Sequence, residues 1–495
     1  MSQTEKKVII IGAGIAGLCT GVLARRCGYD TEIVEMHELA GGLATSWKRG
    51  EFTFETCIHW LLGSNPKSGF HQLWKEVFDI DRIQFINMEE YQRLLAPDGN
   101  TLVVYRNVDR MESEMKRIAP EDITEIRRFA NAIRKMGKMD PPLGTQNVLE
   151  TLSKMIRTIP YLPEFFYWTR ITAEDYGKRF KNSLLRSFFG TGDTARLSML
   201  ALVFSLAWMN KKDAGYPIGG SKALIQAIEG NYQRLGGKIR FNAKVSKVLV
   251  EKGAAVGIQL NSGEMIRGDW IISGCDGHET IFDLLGGRFV DRVTQRTYSE
   301  LETFPSYLQV SLGVKGGLTN QPGFLTQILD EPMMVDPCTK LDQLSFRIFN
   351  FDPTFAPNGK TAITCFLPTR NFEYWTKLKK NDHNQYDAEK AQVSESVMRV
   401  LEKQIPTLRS ILEITDVSTP ATVIRFTGNW KGSMEGWLMT PQTGLRTLRN
   451  RLPGLNGFLM VGQWVMPGGG LPSGLMTART AVRHISKVDR RRFLT

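Results

Sequence analysis

Residues 8–35 constrain this chain more than any other stretch. They begin with Val8-Ile9-Ile10-Ile11, a short run that is β-branched and apolar on both sides, as a strand buried in a parallel sheet must be. Gly12, Ala13, Gly14, Ile15, Ala16 and Gly17 follow at once, and residues 18–26 then read as a helix. Each glycine has its own physical task. Gly12 permits the tight turn, Gly14 lets backbone approach a pyrophosphate, and Gly17 lets the helix pack closely on its strand. The phosphates would rest on free N–H groups at the helix N-terminus, where the dipole favours negative charge. A second strand, residues 31–34, ends in Glu35, whose carboxylate can accept hydrogen bonds from ribose hydroxyls. A lone GxGxxG says little. One that leaves a strand, opens a helix and meets an acid about 20 residues later specifies a dinucleotide-binding unit.

Three further segments narrow the choice of dinucleotide. A Gly41-Gly42-Leu43 turn comes shortly after Glu35. Near the C-terminus a short apolar strand runs into Gly462-Gln463, then into Gly468-Gly469-Gly470-Leu471-Pro472, and a helix follows through Arg483. In mid-chain, Tyr216-Pro217-Ile218-Gly219-Gly220-Ser221 precedes a helical stretch that leads on to Val245. Together with Trp270-Ile271-Ile272-Ser273-Gly274-Cys275-Asp276 and the segment from Ser418 to Gly436, these resemble phytoene desaturase-like FAD-dependent oxidoreductases. The carotenoid isomerase and retinol saturase branch is the nearest, through Glu55-Thr56-Cys57-Ile58-His59-Trp60, with Cys57 standing where glycine is usual. The resemblance implies FAD as cofactor, with Gly41, Gly42 and Leu43 against the diphosphate and ribityl chain and the backbone of Val245 at the adenine. It also implies that Gly462, Gln463, Gly470, Leu471 and Pro472 hold the flavin end. At Gln463 the family usually has an acid that bonds the ribityl hydroxyls; Gln keeps an acceptor oxygen and adds donors.

The fold expected is α/β, with a discontinuous Rossmann-type FAD-binding domain formed by residues 1–75, 216–290 and 452–495. Residues 76–215, largely helical by pattern, would form a cap or lid, and residues 291–451 alternate as strands of a mixed-sheet substrate domain do. Only one GxGxxG of this kind is present, so no second nucleotide domain for NAD(P)H is expected, and the electron partner stays unassigned.

The 495 residues suffice for two or three domains, and 42% hydrophobic with 23% charged residues is an ordinary globular composition. The polar start at residues 1–7 does not read as a signal peptide, and no run of about 18 apolar residues occurs, so a cytoplasmic location is expected. The six cysteines are scattered without a CxxC pair, which suits reduced thiols, and the six histidines form no ligand cluster, so no metal is expected. The net charge of +12 comes without any nucleic-acid-binding motif. Basic clusters at Lys178-Arg179, at residues 377–380 and at residues 490–492 read as solvated surface or as attraction to anionic lipid. The aromatic-rich residues 159–168 and 197–208 suit either a buried core or an interfacial anchor, which leaves peripheral membrane contact open.

The flavin would do the difficult chemistry, and the resemblance points to a hydrophobic substrate: a polyene, isoprenoid or other long-chain lipid whose C=C bonds are desaturated, saturated or isomerised. Such a substrate needs an apolar tunnel more than an acid–base pair. His59 is the one candidate for a catalytic polar group; it reads more readily as a packing histidine bonded to a backbone carbonyl. Trp60, Phe204 and Trp208 are tunnel or core. A flavin amine oxidase, with an aromatic cage and a polar amine pocket, and a non-catalytic flavin- or lipid-binding protein are the alternatives.

Overall fold

The computed structural model describes residues 6–139, 148–190, 193–444 and 448–493. Residues 1–5, most of the polar start, lie outside the described residues. The first sheet has five parallel strands, in the order Lys238–Arg240, Asp30–Val34, Lys7–Ile11, Trp270–Ser273, Phe458–Met460. Lys7–Ile11 is central and pairs Val8 with Thr31 on one side and with Trp270 on the other. Val8, Ile9 and Ile10 have no exposed surface, as burial on both faces of a parallel sheet demands. Strands far apart in sequence meet here because each contributes a short apolar run that only a covered sheet can bury. The helices Ile15–Arg26 and Gly470–Val488 pack on one another against this sheet, and an antiparallel three-stranded sheet, Val245–Glu251, Ala254–Leu260 and Met265–Arg267, packs on its other face.

The second large sheet has seven strands, in the order Leu412–Ser418, Ser306–Lys315, Lys360–Thr369, Thr339–Ile348, Phe324–Asp336, Glu90–Leu95, Thr101–Tyr105. All its joints are antiparallel except Phe324–Asp336 with Glu90–Leu95, so the sheet is mixed. Two of these strands correct the sequence reading, which counted residues 90–105 with a helical cap. Leu94, Leu102 and Val104 alternate inward, and Leu325 pairs with Arg93, a partner more than two hundred residues away that local pattern does not reveal.

The remaining helices of the cap stack around a separate apolar cluster that includes Phe129, Trp168, Tyr176 and Phe189. The helix Met199–Asn210 belongs to that cluster: Leu200, Val203, Leu206 and Ala207 are fully buried, so one face of residues 197–208 is core, while Leu202, Phe204 and Trp208 on the other are partly exposed. Residues 148–169 behave differently. Leu152, Met155, Ile156 and Ile159 recur at helical spacing and, with Phe166, are each more than half exposed. The C-terminal segment is tied to the first domain through Asp489 and Arg491, while Arg490 and Arg492 are exposed. Asp489 accepts from Tyr29 Oη and Trp270 Nε1 (both 2.9 Å) and pairs with Lys6, while Arg491 lies over the Tyr29 ring. Lys178 likewise pairs with Glu174 and Asp175.

Candidate active site

The carboxyl ends of all five parallel strands open into one cleft of about 1160 Å³, solvent mouth included. Its wall contains Gly12 and Gly14 after the first strand, Glu35 after the second, Val245 beyond Lys238–Arg240, Gly274 and Cys275 after the fourth, and Gly462 after the last. Open parallel sheets bind ligands at this edge, where strand termini leave backbone groups unpaired.

The cleft is shaped for a dinucleotide. Gly12 takes φ +93°, which no β-carbon tolerates well, and turns the chain out of the strand. A Cβ on Gly17 would stand 1.9 Å from the Gly12 carbonyl oxygen, so only glycine lets the helix start this close to its strand. A Cβ on Gly14 would meet no protein atom nearer than Gly41 O at 3.9 Å, so the face of Gly14 is bare and belongs to the cleft. The Gly41 N–H donates to Ala13 O (2.9 Å), which stitches the second glycine turn to the first. Glu35 accepts from the N–H groups of Ala13 (2.7 Å) and His37 (2.9 Å), so its carboxylate is held at the rim.

Two helices, Ile15–Arg26 and Gly470–Val488, present uncapped N-termini to the cleft, since Gly14 and Gly469 offer no side-chain acceptor. Gly474 lets them approach: a Cβ there would come within 2.8 Å of Ile15 Cγ2. Ala16, Leu43, Gln463, Gly470 and Leu471 line the same cleft. Ala13 and Gly17 stand just behind it, and Pro472 sits in the first turn of the C-terminal helix, where an N–H would lack an intrahelical partner anyway.

Deeper in, Cys57, Met434 and Glu435 join Gln463 in the wall. The carboxyl of Glu435 has no hydrogen-bond partner among the described residues, and burial pushes its pKa up to about 7. Asp276, also in the wall, is raised to about 7 by burial although Trp430 and Glu279 N–H donate to it (both 2.8 Å). Glu55 organises the loop that carries Cys57 and His59. Its Oε1 accepts from the N–H groups of Thr56, Cys57 and Ile58 and from Ser221 Oγ, while Oε2 accepts from Ser221 N–H.

His59 lies two residues beyond Cys57, with Phe366 and Phe324 rings at 6.2 and 6.5 Å; these rings and that of Tyr91 are only partly buried where they face one another, and the space between them is the inner chamber. Its ring makes no hydrogen bond among the described residues, and burial together with the Arg347 charge holds its pKa well below the usual value, so it is neutral at pH 7. Tyr91 meets Phe324 edge-on at 6.2 Å, and the Arg347 guanidinium covers the other part of that ring at 3.9 Å. Trp60 packs on Trp208 (5.9 Å), Trp208 stacks on Phe204 (5.3 Å), and Phe204 meets Phe165 (6.3 Å), beside the exposed Phe166. A chain of packed aromatic rings thus runs from the exposed apolar stripe inward as far as Trp60, the neighbour of His59.

Sequence reasoning quoted Asp276 and Glu435 only as parts of matched segments and missed Arg106, Tyr91 and Arg347 altogether. Arg347 had one signal, a charge flanked by Phe346 and Ile348 inside a strand-like run. The others become neighbours only through the register of the seven-stranded sheet.

The family described as flavin containing amine oxidoreductase matches residues 15–486. Prolycopene isomerase 1 of an Oncidium hybrid cultivar is 25% identical, over 96% of this chain and 83% of its own length. A 4,4'-diapophytoene desaturase of Methylomonas sp is 25% identical, over 99% of this chain and 96% of its own. Among solved structures, an oxidoreductase from Methanosarcina mazei superimposes with a TM-score of 0.62 at 16% identity, covering 96% of this chain and all of that one.

Proposed function

This chain belongs to the flavin containing amine oxidoreductase family, and from that premise we propose that it is an FAD-dependent oxidoreductase acting on C=C bonds of a polyene, isoprenoid or other long-chain lipid. The observation that carries the reading is the chamber beyond Cys57. There His59 is surrounded by the rings of Phe324 and Phe366, Tyr91 meets Phe324, and from Trp60 a chain of packed rings leads out to an exposed apolar stripe. The relatives named for prolycopene isomerisation and diapophytoene desaturation support a greasy substrate.

FAD, when bound, supplies hydride transfer; the protein supplies binding, orientation and exclusion of water. Gly12, Gly14 and the N–H groups opening Ile15–Arg26 would take the diphosphate. Glu35 would take a ribose, Val245 the adenine, and Gly41, Gly42, Leu43, Gly462, Gln463, Gly470 and Leu471 the flavin half. Glu435, with a carboxyl poised near neutrality, can hold or release a proton beside Cys57. His59, kept neutral, can accept a hydrogen bond or a proton but is a poor donor of one.

An amine substrate fits less well. The Trp437 and Trp464 rings near the cleft are closed off by one another, at 5.2 Å, and nearly fully buried, so they form no open cage. The buried guanidinium groups of Arg106 and Arg347 would repel an ammonium ion in the chamber.

The stripe Leu152, Met155, Ile156, Ile159 and Phe166, with Arg157 and Arg170 exposed alongside, supports docking on an anionic membrane, from which a lipid substrate could pass inward without crossing water. The decisive experiment compares lipid extracts of cells with and without the gene and follows the flavin spectrum with candidate polyenes under anaerobic conditions. Flavin bleaching or reoxidation by a polyene supports the reading; turnover of amines with peroxide release overturns it.

A further inference from the structure

Two buried arginines in the inner chamber have no anion to serve. Arg347 is 7% exposed, makes no ion pair or hydrogen bond through its side chain among the described residues, and leaves Nε unpartnered in the interior. Arg106 is 6% exposed; its Nη1 donates to Ala214 O (3.0 Å), and its Nε is likewise buried without a partner. Burial, with a smaller effect of the Arg106 charge, lowers the pKa of Arg347 to about 10, and burial lowers that of Arg106 to about 10, so both stay charged at neutral pH. No carboxylate stands among the groups acting on either; the neighbours are the hydroxyls of Tyr91 and Tyr216.

Buried charges are costly unless paired, and breaking a buried pair is strongly destabilising. Two unpaired guanidinium groups in one apolar chamber therefore mark a place where an anion belongs. Arginine is also the side chain whose planar fork matches a carboxylate with two parallel hydrogen bonds. The groups come from separate elements: Arg347 from the strand Thr339–Ile348, Tyr91 from Glu90–Leu95, Arg106 from the residue after Thr101–Tyr105, and His59 from the loop after Phe52–Glu55. The Arg347 guanidinium lies over the Phe324 ring at 3.9 Å, a contact that gives it no hydrogen-bond acceptor. His59 feels the same Arg347 charge and stands two residues along the chain from Cys57, which lines the cleft.

We propose that Arg347 and Arg106, with Tyr91, bind the carboxylate head of the substrate, so that the polyene or lipid this protein transforms is a long-chain acid whose chain runs past His59 and Cys57 toward the flavin. The inference rests on the polyene or lipid reading above and sharpens it. A pure hydrocarbon would leave both charges buried and unpaired; an acid removes that cost and fixes which end of a featureless chain enters first. Register along the chain, and hence which C=C bond meets the flavin, would follow from the distance to the head group.

The test uses the full-length flavoprotein and two ligands that differ only at the head, all-trans-retinoic acid and its methyl ester, with butyrate and inorganic phosphate as small-anion probes. Binding is read by tryptophan quenching and by perturbation of the flavin spectrum. The acid is expected to bind at least ~10-fold more tightly than the ester, as befits a buried charge-assisted hydrogen bond. Arg347→Met should bring the acid down to the level of the ester and leave the ester unchanged, while Arg347→Lys keeps part of the preference. The wild-type ratio needs no variant, so a misfolded Arg347→Met would not spoil the test. Equal binding of acid and ester overturns the proposal and leaves the lipid reading standing. Tight binding of phosphate or butyrate, with no preference for the long-chain acid, also overturns it in favour of a small-anion site. If neither retinoid binds while an amine bleaches the flavin, the lipid reading fails and takes this inference with it.

Discussion

A Cβ on Gly14 would touch only Gly41 O, at 3.9 Å, so the protein alone tolerates a side chain there. The cofactor would not. Gly14→Val should leave a folded protein whose melting temperature without FAD is nearly unchanged and whose flavin absorbance is lost on purification. Gly17→Val should do more damage, because its Cβ would stand 1.9 Å from Gly12 O and the turn itself must move. A yellow Gly14→Val protein would remove the diphosphate from this position. The carboxyls of Glu435 and Asp276 are both raised to about 7 by burial, above the values of roughly 4.3 and 3.9 for unfolded chains. The folded state therefore binds more protons than the unfolded state between those limits. Their stabilising contribution is complete below about pH 4 and is lost as pH rises through about 7. Melting of the flavin-free protein should fall by a few degrees from pH 5 to pH 8, and Glu435→Gln should flatten part of that slope. A wild-type melting temperature that rises over this range would show that these carboxyls are ionised in the fold.

At the scale of elements, two helix contacts decide the geometry of the cleft. Gly474 sits where Gly470–Val488 crosses Ile15–Arg26, and a methyl group there would come within 2.8 Å of Ile15 Cγ2 and 3.2 Å of Ala16 N. Gly474→Ala should splay the two N-termini by tenths of an ångström and weaken FAD retention, about 10-fold for a loss of ~1.4 kcal/mol, with little change in overall fold. Equilibrium dialysis of FAD reads this directly, and an unchanged affinity would exclude the helix pair from binding. The stripe Leu152, Met155, Ile156, Ile159 and Phe166 makes a different demand. Flotation with anionic vesicles should show binding that salt reduces only in part, because screening weakens the basic contribution and leaves the apolar one. Ile156→Glu with Phe166→Glu should abolish the remainder. These two are the better choice than Phe165, which packs inward against Phe204 at 6.3 Å. A wild type that never floats would assign the stripe another partner.

For the whole molecule, the relevant fact is that among the described residues one five-stranded parallel sheet carries a glycine-rich cleft, while the seven-stranded mixed sheet forms one wall of the chamber. With no second nucleotide-binding sheet among the described residues, the expected source of electrons is the substrate, a quinone-like partner or an external reductant. Stopped-flow mixing with NADPH alone should bleach the flavin far more slowly than the ~10 per second typical of turnover. Bleaching at that rate would reveal a nicotinamide site that the architecture does not suggest.

Local chemistry made the nucleotide cleft legible in the sequence. Gly12, Gly14 and Gly17 succeed an apolar strand within a few residues, and the φ of +93° at Gly12 and the 1.9 Å clearance at Gly17 are demands that adjacent residues impose on each other. The apolar run Val8-Ile9-Ile10-Ile11 similarly announced a strand buried on both faces. The chamber was not legible. Arg106, Tyr91 and Arg347 lie in segments with no motif, and they converge only because Glu90–Leu95 joins Phe324–Asp336 in parallel while Phe324 pairs with Arg347. Exposure divided the two aromatic segments in the same way, burying Leu200 and Val203 and leaving Ile159 and Phe166 outside. Periodicity tells which residues share a face, and only the tertiary packing decides what that face meets.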